Sequence, residues 1–339
     1  MGGESVEKQR TWLFANKPVI LSTGVVGGPF ESNGKIADDF DILHGDLWIG
    51  QETYEKAHRK LLEEACFRAI EKSHLQKEDI EFFLGGDLIN QITPTSFGAR
   101  QLGIPYMGLF GACSTSMEGL ALSAFIINSK GANYILTAAS SHNAAVEKQF
   151  RYPTEYGGQK PPTAQWTVTG AGAAVIAQEG EGPVVVSATI GKVVDMGLTD
   201  PFNMGGAMAP AAVDTIIAHL TSLKLAPSYY DLIVTGDLGS IGRSIALEML
   251  TDRGIAITEH QFQDCGLMIY KDSQPVFSGA SGAGCSAVVG YGHLLRRMKK
   301  GEFKRILLVA TGALLSPLSF QQNDSIPCIA HAVSIEYIQ

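Results

Sequence analysis

Short apolar runs alternate with amphipathic segments along most of this chain. The runs typical of buried strands cover residues 19–21, 82–84, 134–138, 171–176 and 184–190. The first clear helical pattern extends from about residue 53 to residue 73, where apolar side chains recur at three- and four-residue steps. A second helix is expected after Cys113 and continues to Ile127. Strands that alternate with helices predict an α/β fold.

The two parts of the chain also resemble each other. Residues 111–136 align without a gap against residues 282–307, and each stretch is typical of a turn, a helix, a short loop and a strand. Upstream, GGDLI at 85–89 matches TGDLG at 235–239. We therefore predict two similar halves, 17–178 and 183–338. Because residues 179–182 form a turn rather than a tether, packed halves are favoured over independent domains on a linker. Their strand ends would meet at one crevice, where open α/β sheets bind ligands.

Cys113 lies where the apolar run 106–110 breaks at Gly111 and a helix begins. A thiol at such a turn faces the free N–H groups of the helix start, whose partial positive charge favours the thiolate and lowers the thiol pKa. The alternative is a buried, inert cysteine, which is what most cysteines in proteins are. The spacing alone leaves both interpretations open.

Composition narrows the function classes. The 339 residues are 45% hydrophobic and carry a net charge of −8, without a dense block of Lys and Arg. Direct binding to nucleic acid or to anionic lipid is therefore disfavoured. Five cysteines without a CxxC pair predict neither a disulfide framework nor a zinc cluster. We find no signal peptide and no run of ~18 apolar residues, so we expect a soluble chain of the cytoplasmic type that meets a membrane through other proteins.

Three features together resemble the thiolase-like superfamily, which includes the thiolases and the ketoacyl synthases. They are the duplicated halves, the cysteine at the strand-to-helix turn of the first half, and the glycine-rich TVTGAGAAVI at 167–176. The resemblance implies a thiolase-like duplicated fold, in which two βαβαβαββ halves pack as a five-layered αβαβα sandwich. It also implies a homodimer.

Condensing enzymes of this superfamily acylate the cysteine and use two partners, His/His or His/Asn, to stabilise the developing negative charge. The first partner would follow the strand at 232–234, where this chain offers Asp237, and an ionised Asp237 would repel an enolate. The second would lie in 278–284, SGASGAG, which has no imidazole or amide. The resemblance therefore implies a retained scaffold without the condensation, unless His142 or His331 supplies an imidazole from another loop.

Longer segments, notably HNAAVEKQFRYPTEYGGQKPPTAQWTVTGAGAA and DPFNMGGAMAPAA, are similar to a family of sporulation proteins of endospore-forming bacteria. This resemblance implies binding of dipicolinic acid, free or as its calcium chelate, and its uptake into the developing spore. Other stage V sporulation A proteins at the forespore inner membrane would be the partners. We expect no intrinsic cofactor and no metal site, so calcium would enter with the ligand. The candidate ligand-binding residues are Cys113, Ser114, Thr115, His142, Thr169, Asp237, Arg243 and Ser281.

The segment 147–169 is long for a loop, is stiffened by prolines and carries Lys148, Arg151 and Lys160, a local excess of positive charge for a dicarboxylate. A surface arm that makes dimer contacts is the alternative. Two other functions also stay open. One is an acyltransferase that forms a thioester on Cys113 without condensing. The other is a structural scaffold of the membrane complex.

Overall fold

The two halves of the chain repeat one strand order. The computed structural model describes residues 10–149 and 160–338. In the first half the elements are β1 (Thr11–Leu13), β2 (Val19–Gly27), β3 (Ile42–Leu43), α1 (Tyr54–Ser73), β4 (Phe82–Gly86), α2 (Thr93–Leu102), β5 (Tyr106–Gly108), α3 (Thr115–Asn128), β6 (Tyr134–Ser141), α4 (Asn143–Glu147), β7 (Trp166–Thr167) and β8 (Gly170–Ala177).

The second half follows directly after a short turn. Its elements are β9 (Val184–Thr189), α5 (Met204–Leu223), β10 (Leu232–Thr235), α6 (Gly239–Asp252), β11 (Phe262–Asp264), β12 (Ala280–Ser281), α7 (Ala283–Val288), α8 (Leu295–Lys299), β13 (Arg305–Ala313), α9 (Pro317–Gln321) and β14 (Cys328–Glu336). A π-helical segment, Val289–Leu294, joins α7 to α8 without a break.

Each half contributes five strands in the same spatial order. The first sheet runs β5-β4-β6-β8-β2 and the second runs β11-β10-β13-β14-β9. In both, the three strands at one side pair parallel and the remaining pairs are antiparallel. The two sheets meet where Val19 pairs with Val184. The repeated order confirms the duplicated α/β fold predicted from the self-similarity.

Three helical layers separate and cover the two sheets. Helices α1 and α2 pack on the outer face of the first sheet, and α5 and α6 pack on the outer face of the second. Helices α3 and α7 lie between the sheets and contact both halves. Helix α3 is apolar around most of its circumference, with Met117, Leu120, Ala124 and Ile127 fully buried, as expected for a helix covered on all sides. The result is the five-layered αβαβα sandwich expected of a thiolase-like fold.

The layers bring the starts of the two central helices close together. Ser116 Oγ of α3 and Ser286 Oγ of α7 lie 2.7 Å apart. A two-stranded parallel ladder joins the segment before β8 to the loop before α7, with Trp166 paired to Ala280 and Thr167 to Ser281. The carboxyl ends of β4, β5, β10 and β13 open toward the same region, as the crevice rule for open α/β sheets requires.

None of the helices within residues 10–149 and 160–338 is both long and apolar enough to cross a bilayer.

Candidate functional site

Cys113 lies on a strained turn between β5 and α3. The residue before it, Ala112, adopts a left-handed conformation with φ of 50°, which is rare for a residue other than glycine. Ser114 and Thr115 fasten this turn from inside: Ser114 Oγ donates to the Gly111 carbonyl at 2.6 Å, and Thr115 Oγ1 donates to the Ala112 carbonyl at 2.7 Å. The two hydroxyls that we expected to contact a ligand are therefore engaged with the backbone of the turn.

The turn also depends on a close approach by Gly312 of β13. A Cβ atom at Gly312 would lie 2.3 Å from the Gly111 carbonyl oxygen and 3.2 Å from the Cys113 nitrogen. No side chain fits there, because real Cβ contacts are longer than 3.0 Å. Gly312 thus lets the second half press directly against the cysteine turn of the first half.

Asp237 reaches Cys113 from the second half. It follows β10 and is 1% exposed. Its Oδ1 accepts from Thr311 Oγ1 at 2.6 Å and its Oδ2 accepts from the Gly282 N–H at 3.0 Å. The Cys113 thiol lies beside the same carboxyl group. The buried carboxyl group is thus held by two donors of the second half, Thr311 and Gly282, and faces the cysteine of the first half.

The electrostatics of this pair oppose thiolate formation. Burial raises the pKa of Cys113 well above its ordinary value, and the neighbouring Asp237 charge raises it further. Burial also raises the pKa of Asp237 to about 6, although its hydrogen bonds from Thr311 and Gly282 favour the ionised form. Of the two interpretations that the spacing left open, the direction of the Cys113 pKa favours the buried, unactivated cysteine, because burial and one carboxylate both raise that pKa.

A second buried carboxyl group supports the loop that carries Asp237. Asp264 accepts hydrogen bonds from Thr235 Oγ1 at 2.7 Å, from the Leu238 N–H at 2.8 Å and from the Gly239 N–H at 3.0 Å. Burial raises its pKa to about 7, and the nearby Asp237 acts in the same direction. Asp264 therefore fixes the start of α6 and the position of Asp237, a role that the sequence pattern did not reveal.

A cavity of about 220 Å³ opens beside Cys113. Its apolar wall includes Leu88, Phe110, Ala112, Val146, Phe202, Met204, Ala313, Leu315 and Phe320. The polar wall includes Lys160, Glu147, Gln165 and Ser281. Lys160 Nζ lies 2.6 Å from Glu147 Oε1, and the two side chains are 7% and 12% exposed. The cavity therefore suits a small ligand with an apolar body and a polar end.

The structure brings together three of the sequence-predicted site residues. Cys113 and Ser281 line the cavity, and Asp237 contacts Cys113 behind it. Thr169 lies elsewhere, where its Oγ1 accepts from the Asn143 N–H at 3.0 Å. Arg243 also points away, because its guanidinium donates to the Phe262 carbonyl at 2.6 and 2.9 Å.

The two histidines considered as substitutes for the missing partners do not line the cavity. His142 is fully buried, its Nε2 hydrogen-bonds to the Leu47 carbonyl at 2.8 Å, and its Nδ1 accepts from the Ala145 N–H and caps α4. His331 Nδ1 accepts from the Gly191 N–H at 3.3 Å. Burial lowers the pKa of each ring to about 4. Both rings are engaged with the backbone.

Part of the cationic segment lies outside the described residues, including Arg151. Of the rest, Lys160 lines the cavity, whereas Lys148 pairs with Glu55. Sequence reasoning missed Thr311, Gln165 and the aromatic wall. Thr311 could have been found, because it lies near the carboxyl end of β13, the strand parallel to β10, and the carboxyl ends of neighbouring parallel strands lie close together. No sequence pattern indicated that the aromatic side chains Phe110, Phe202 and Phe320 would line the cavity.

The repeated strand order, the cysteine turn and the cavity define a thiolase-like fold, and solved structures share it. The 3-oxoacyl-[acyl-carrier-protein] synthase III of Aquifex aeolicus VF5 superposes with a TM-score of 0.61 at 14% identity, over 94% of this chain and 100% of the other. A cerulenin-bound OleA of Xanthomonas campestris gives a TM-score of 0.59 at 14% identity, over 96% and 98% of the two chains. At such identities the likeness establishes the fold alone.

Sequence similarity then identifies the family. The chain belongs to the Stage V sporulation protein AD (SpoVAD) family, whose profile matches residues 8–336. The Stage V sporulation protein AD of Bacillus subtilis (strain 168) is 47% identical over 329 residues, which is 97% of each chain. The resemblance to a sporulation family is confirmed, and the fold is thiolase-like.

Proposed function

We propose that this protein is a non-catalytic, ligand-binding member of its family. Its cavity beside Cys113 binds dipicolinic acid, free or as its calcium chelate, and so supports uptake into the developing spore. The observation that carries the proposal is the contact between Cys113 and Asp237. A buried thiol beside a carboxylate stays protonated and is a poor nucleophile, because burial and the neighbouring negative charge both raise the thiol pKa. The fold thus keeps a pocket at the nucleophile position without an activated nucleophile.

The size and lining of the cavity support a small, flat ligand. A volume of about 220 Å³ is smaller than the pockets that hold drug-sized molecules. Aromatic side chains from both halves, including Phe110 and Phe202, offer faces for a pyridine ring. Gln165 and Ser281 supply hydrogen-bonding groups at the wall nearest the second half. One ring with polar substituents fits this distribution of groups.

Lys160 is the residue we assign to a ligand carboxylate. Its ammonium lines the cavity, is 7% exposed and faces a carboxylate already, that of Glu147. Charge-assisted hydrogen bonds between ammonium and carboxylate are strongest where water is excluded. In a calcium chelate the metal arrives with oxygen ligands from dipicolinate, and the Glu147 carboxylate offers one more of the kind that calcium prefers.

The proposal places the protein at the forespore inner membrane through other stage V sporulation A proteins. It also includes a homodimer. Strand β5 ends its sheet, and its Met107 is 40% exposed. An unpaired edge with an exposed apolar side chain is a ready template for pairing with a second chain. We therefore assign the dimer contact to β5.

Titration calorimetry with dipicolinate, with and without calcium, tests the ligand. We expect saturable binding by the parent and at least tenfold weaker binding by Lys160→Met, a loss of about 1.4 kcal/mol or more. Lys148→Met is the matched control, because Lys148 pairs with Glu55 and does not line the cavity. It should bind like the parent. No heat from the parent in either form of the ligand would refute dipicolinate as the ligand, whereas equal weakening by both variants would refute the assigned site.

The strained turn at Ala112 favours one second candidate, an acyltransferase that forms a thioester on Cys113. Stored backbone strain is a feature of functional sites, and this turn places Cys113 in the wall of the cavity. Intact-mass measurement after incubation with an acyl-CoA thioester separates the two functions. The binding proposal predicts no mass increase. A stoichiometric increase that Cys113→Ser abolishes would favour the acyltransferase instead.

A further inference from the structure

An exposed apolar surface surrounds the mouth of the cavity on the side of the second half. We define the mouth surface by the exposed apolar side chains of two segments, 193–202 and 315–328. These side chains are Val193, Met196, Leu198, Phe202, Leu318 and Phe320, with exposed fractions between 37% and 64%. They are six of the seventeen large apolar side chains more than a third exposed within residues 10–149 and 160–338. Such a concentration is unusual, since exposed apolar residues on soluble proteins are normally scattered.

The two segments lie side by side and are held by defined hydrogen bonds. The Ile326 N–H donates to the Leu198 carbonyl at 2.7 Å, and Val194 and Cys328 exchange two backbone hydrogen bonds at 2.8 Å. Ser325 Oγ donates to Asp195 Oδ2 at 2.6 Å. The mouth surface is therefore a built feature of the fold and not a pair of unrelated loops. It is continuous with the cavity, because Phe202 lines both.

The charged side chains of the two segments that form this surface have one sign. The two segments carry Asp195, Asp200 and Asp324, all exposed, and they contain no Lys or Arg. The nearest cation along the chain, Lys192, pairs with Asp214 at 3.0 Å. An apolar centre with an acidic rim selects a partner that combines apolar side chains with positive charge.

We propose that the mouth surface docks a basic amphipathic segment of another protein, and that this partner covers the cavity entrance. A bilayer with anionic headgroups is disfavoured, because the acidic rim would face like charges. A second copy of this chain is disfavoured for the same reason, since an isologous contact would place acidic rims together. The proposal does not depend on the identity of the cavity ligand.

Fluorescence anisotropy with three synthetic helical peptides tests the proposal on the full chain. The first has leucines on one face and lysines on the other, the second replaces each lysine by glutamate, and the third is a scrambled version of the first. Two variants remove the proposed contacts, Met196→Ser with Leu318→Ser, and Asp200→Asn with Asp324→Asn. Their matched controls are Phe67→Ser on α1 and Glu179→Gln with Glu181→Gln in the turn between the halves, all exposed.

We expect the basic amphipathic peptide to bind at least tenfold more tightly than the other two peptides. Each pair of mouth-surface substitutions should weaken this binding about tenfold or more, whereas the controls should bind like the parent. Added salt should reduce the effect of the acidic pair, since exposed charges are screened. Equal binding of the acidic peptide, or unchanged binding by both mouth-surface variants, would overturn the proposal. Two other results would overturn it as well: flotation of the parent with phosphatidylglycerol vesicles, or self-association of the parent. Either result counts if the variant that carries both Met196→Ser and Leu318→Ser no longer shows it.

Discussion

Asp237→Asn is the substitution that separates the two roles a carboxyl group can play beside a cysteine. In one role the Asp237 charge suppresses the thiolate and keeps Cys113 inert. In the other, Asp237 is a general base that removes the thiol proton for reaction. The asparagine keeps the size of the side chain and an oxygen that accepts from Thr311, but it removes the negative charge. The structure favours the first role, because burial and the Asp237 charge both raise the pKa of Cys113.

The expected magnitude follows from the general interaction energy of two neighbouring charges at a protein site. Two unit charges about 4 Å apart interact with about 4 kcal/mol at an effective dielectric constant near 20. One pKa unit corresponds to about 1.4 kcal/mol, so removing the charge lowers the pKa of Cys113 by up to about 3 units. Burial, the larger cause, stays. At neutral pH the thiolate fraction, and with it the alkylation rate, should rise between about tenfold and a thousandfold.

The assay is alkylation by iodoacetamide, followed by peptide mass spectrometry because the chain has five cysteines. Asp87→Asn is the matched control: Asp87 holds the equivalent place in the first half, is also fully buried, and caps α2 through Thr95. Its alkylation rate at Cys113 should equal that of the parent. A slower rate in Asp237→Asn would refute electrostatic suppression and identify Asp237 as a base. An unchanged rate would show that burial alone sets the reactivity.

Three further predictions concern the fold around the site. Gly312→Ala should destabilise the protein by about 2 kcal/mol or more in urea unfolding, because its Cβ would collide with the Gly111 carbonyl, whereas Gly45→Ala, with open space around it, should stay within about 0.5 kcal/mol of the parent. The pKa of Asp237 is raised from 3.8 to about 6, so its contribution to stability is present below pH 4 and is lost as the pH rises through 6. Between pH 4 and pH 8, the free energy of unfolding of Asp237→Asn should therefore increase by about 3 kcal/mol relative to that of the parent. A difference between the two proteins that does not change with pH would contradict the raised pKa. Met107→Asp on the β5 edge should convert the proposed homodimer to a monomer and so halve the mass measured by light scattering, and an unchanged dimeric mass would place the contact elsewhere.

Sequence patterns predicted the scaffold well because burial leaves a periodic signature. The helix expected at 53–73 is α1, Tyr54–Ser73, with Thr53 as its N-cap, and the strand expected at 184–190 is β9, Val184–Thr189. The duplication was also visible, since the equivalent turns GGDLI and TGDLG occupy the same place in both sheets. The apolar period and the repeat sufficed for the fold.

The site residues were harder to predict from the sequence, because the spacing of residues does not show where a side chain points or which other groups it binds. Arg243 and His142 occur near strand and helix ends, yet both satisfy backbone carbonyls instead of facing the cavity. The sequence indicated that an ionised Asp237 would repel an enolate. Its contact with Cys113 could not be predicted, because that contact depends on how the two halves of the chain pack. The direction of the Cys113 pKa shift depends on that packing. The residues at the start of the helix do not reveal it by themselves.

A crystal structure of the protein grown with dipicolinate and calcium tests the central claim most directly. The account predicts a pyridine ring in the cavity beside Cys113 and a ligand carboxylate within hydrogen-bond distance of Lys160 Nζ. It also predicts an unmodified Cys113 thiol that still contacts Asp237. Ligand density away from this cavity, or a covalent adduct on the Cys113 sulfur, would contradict it.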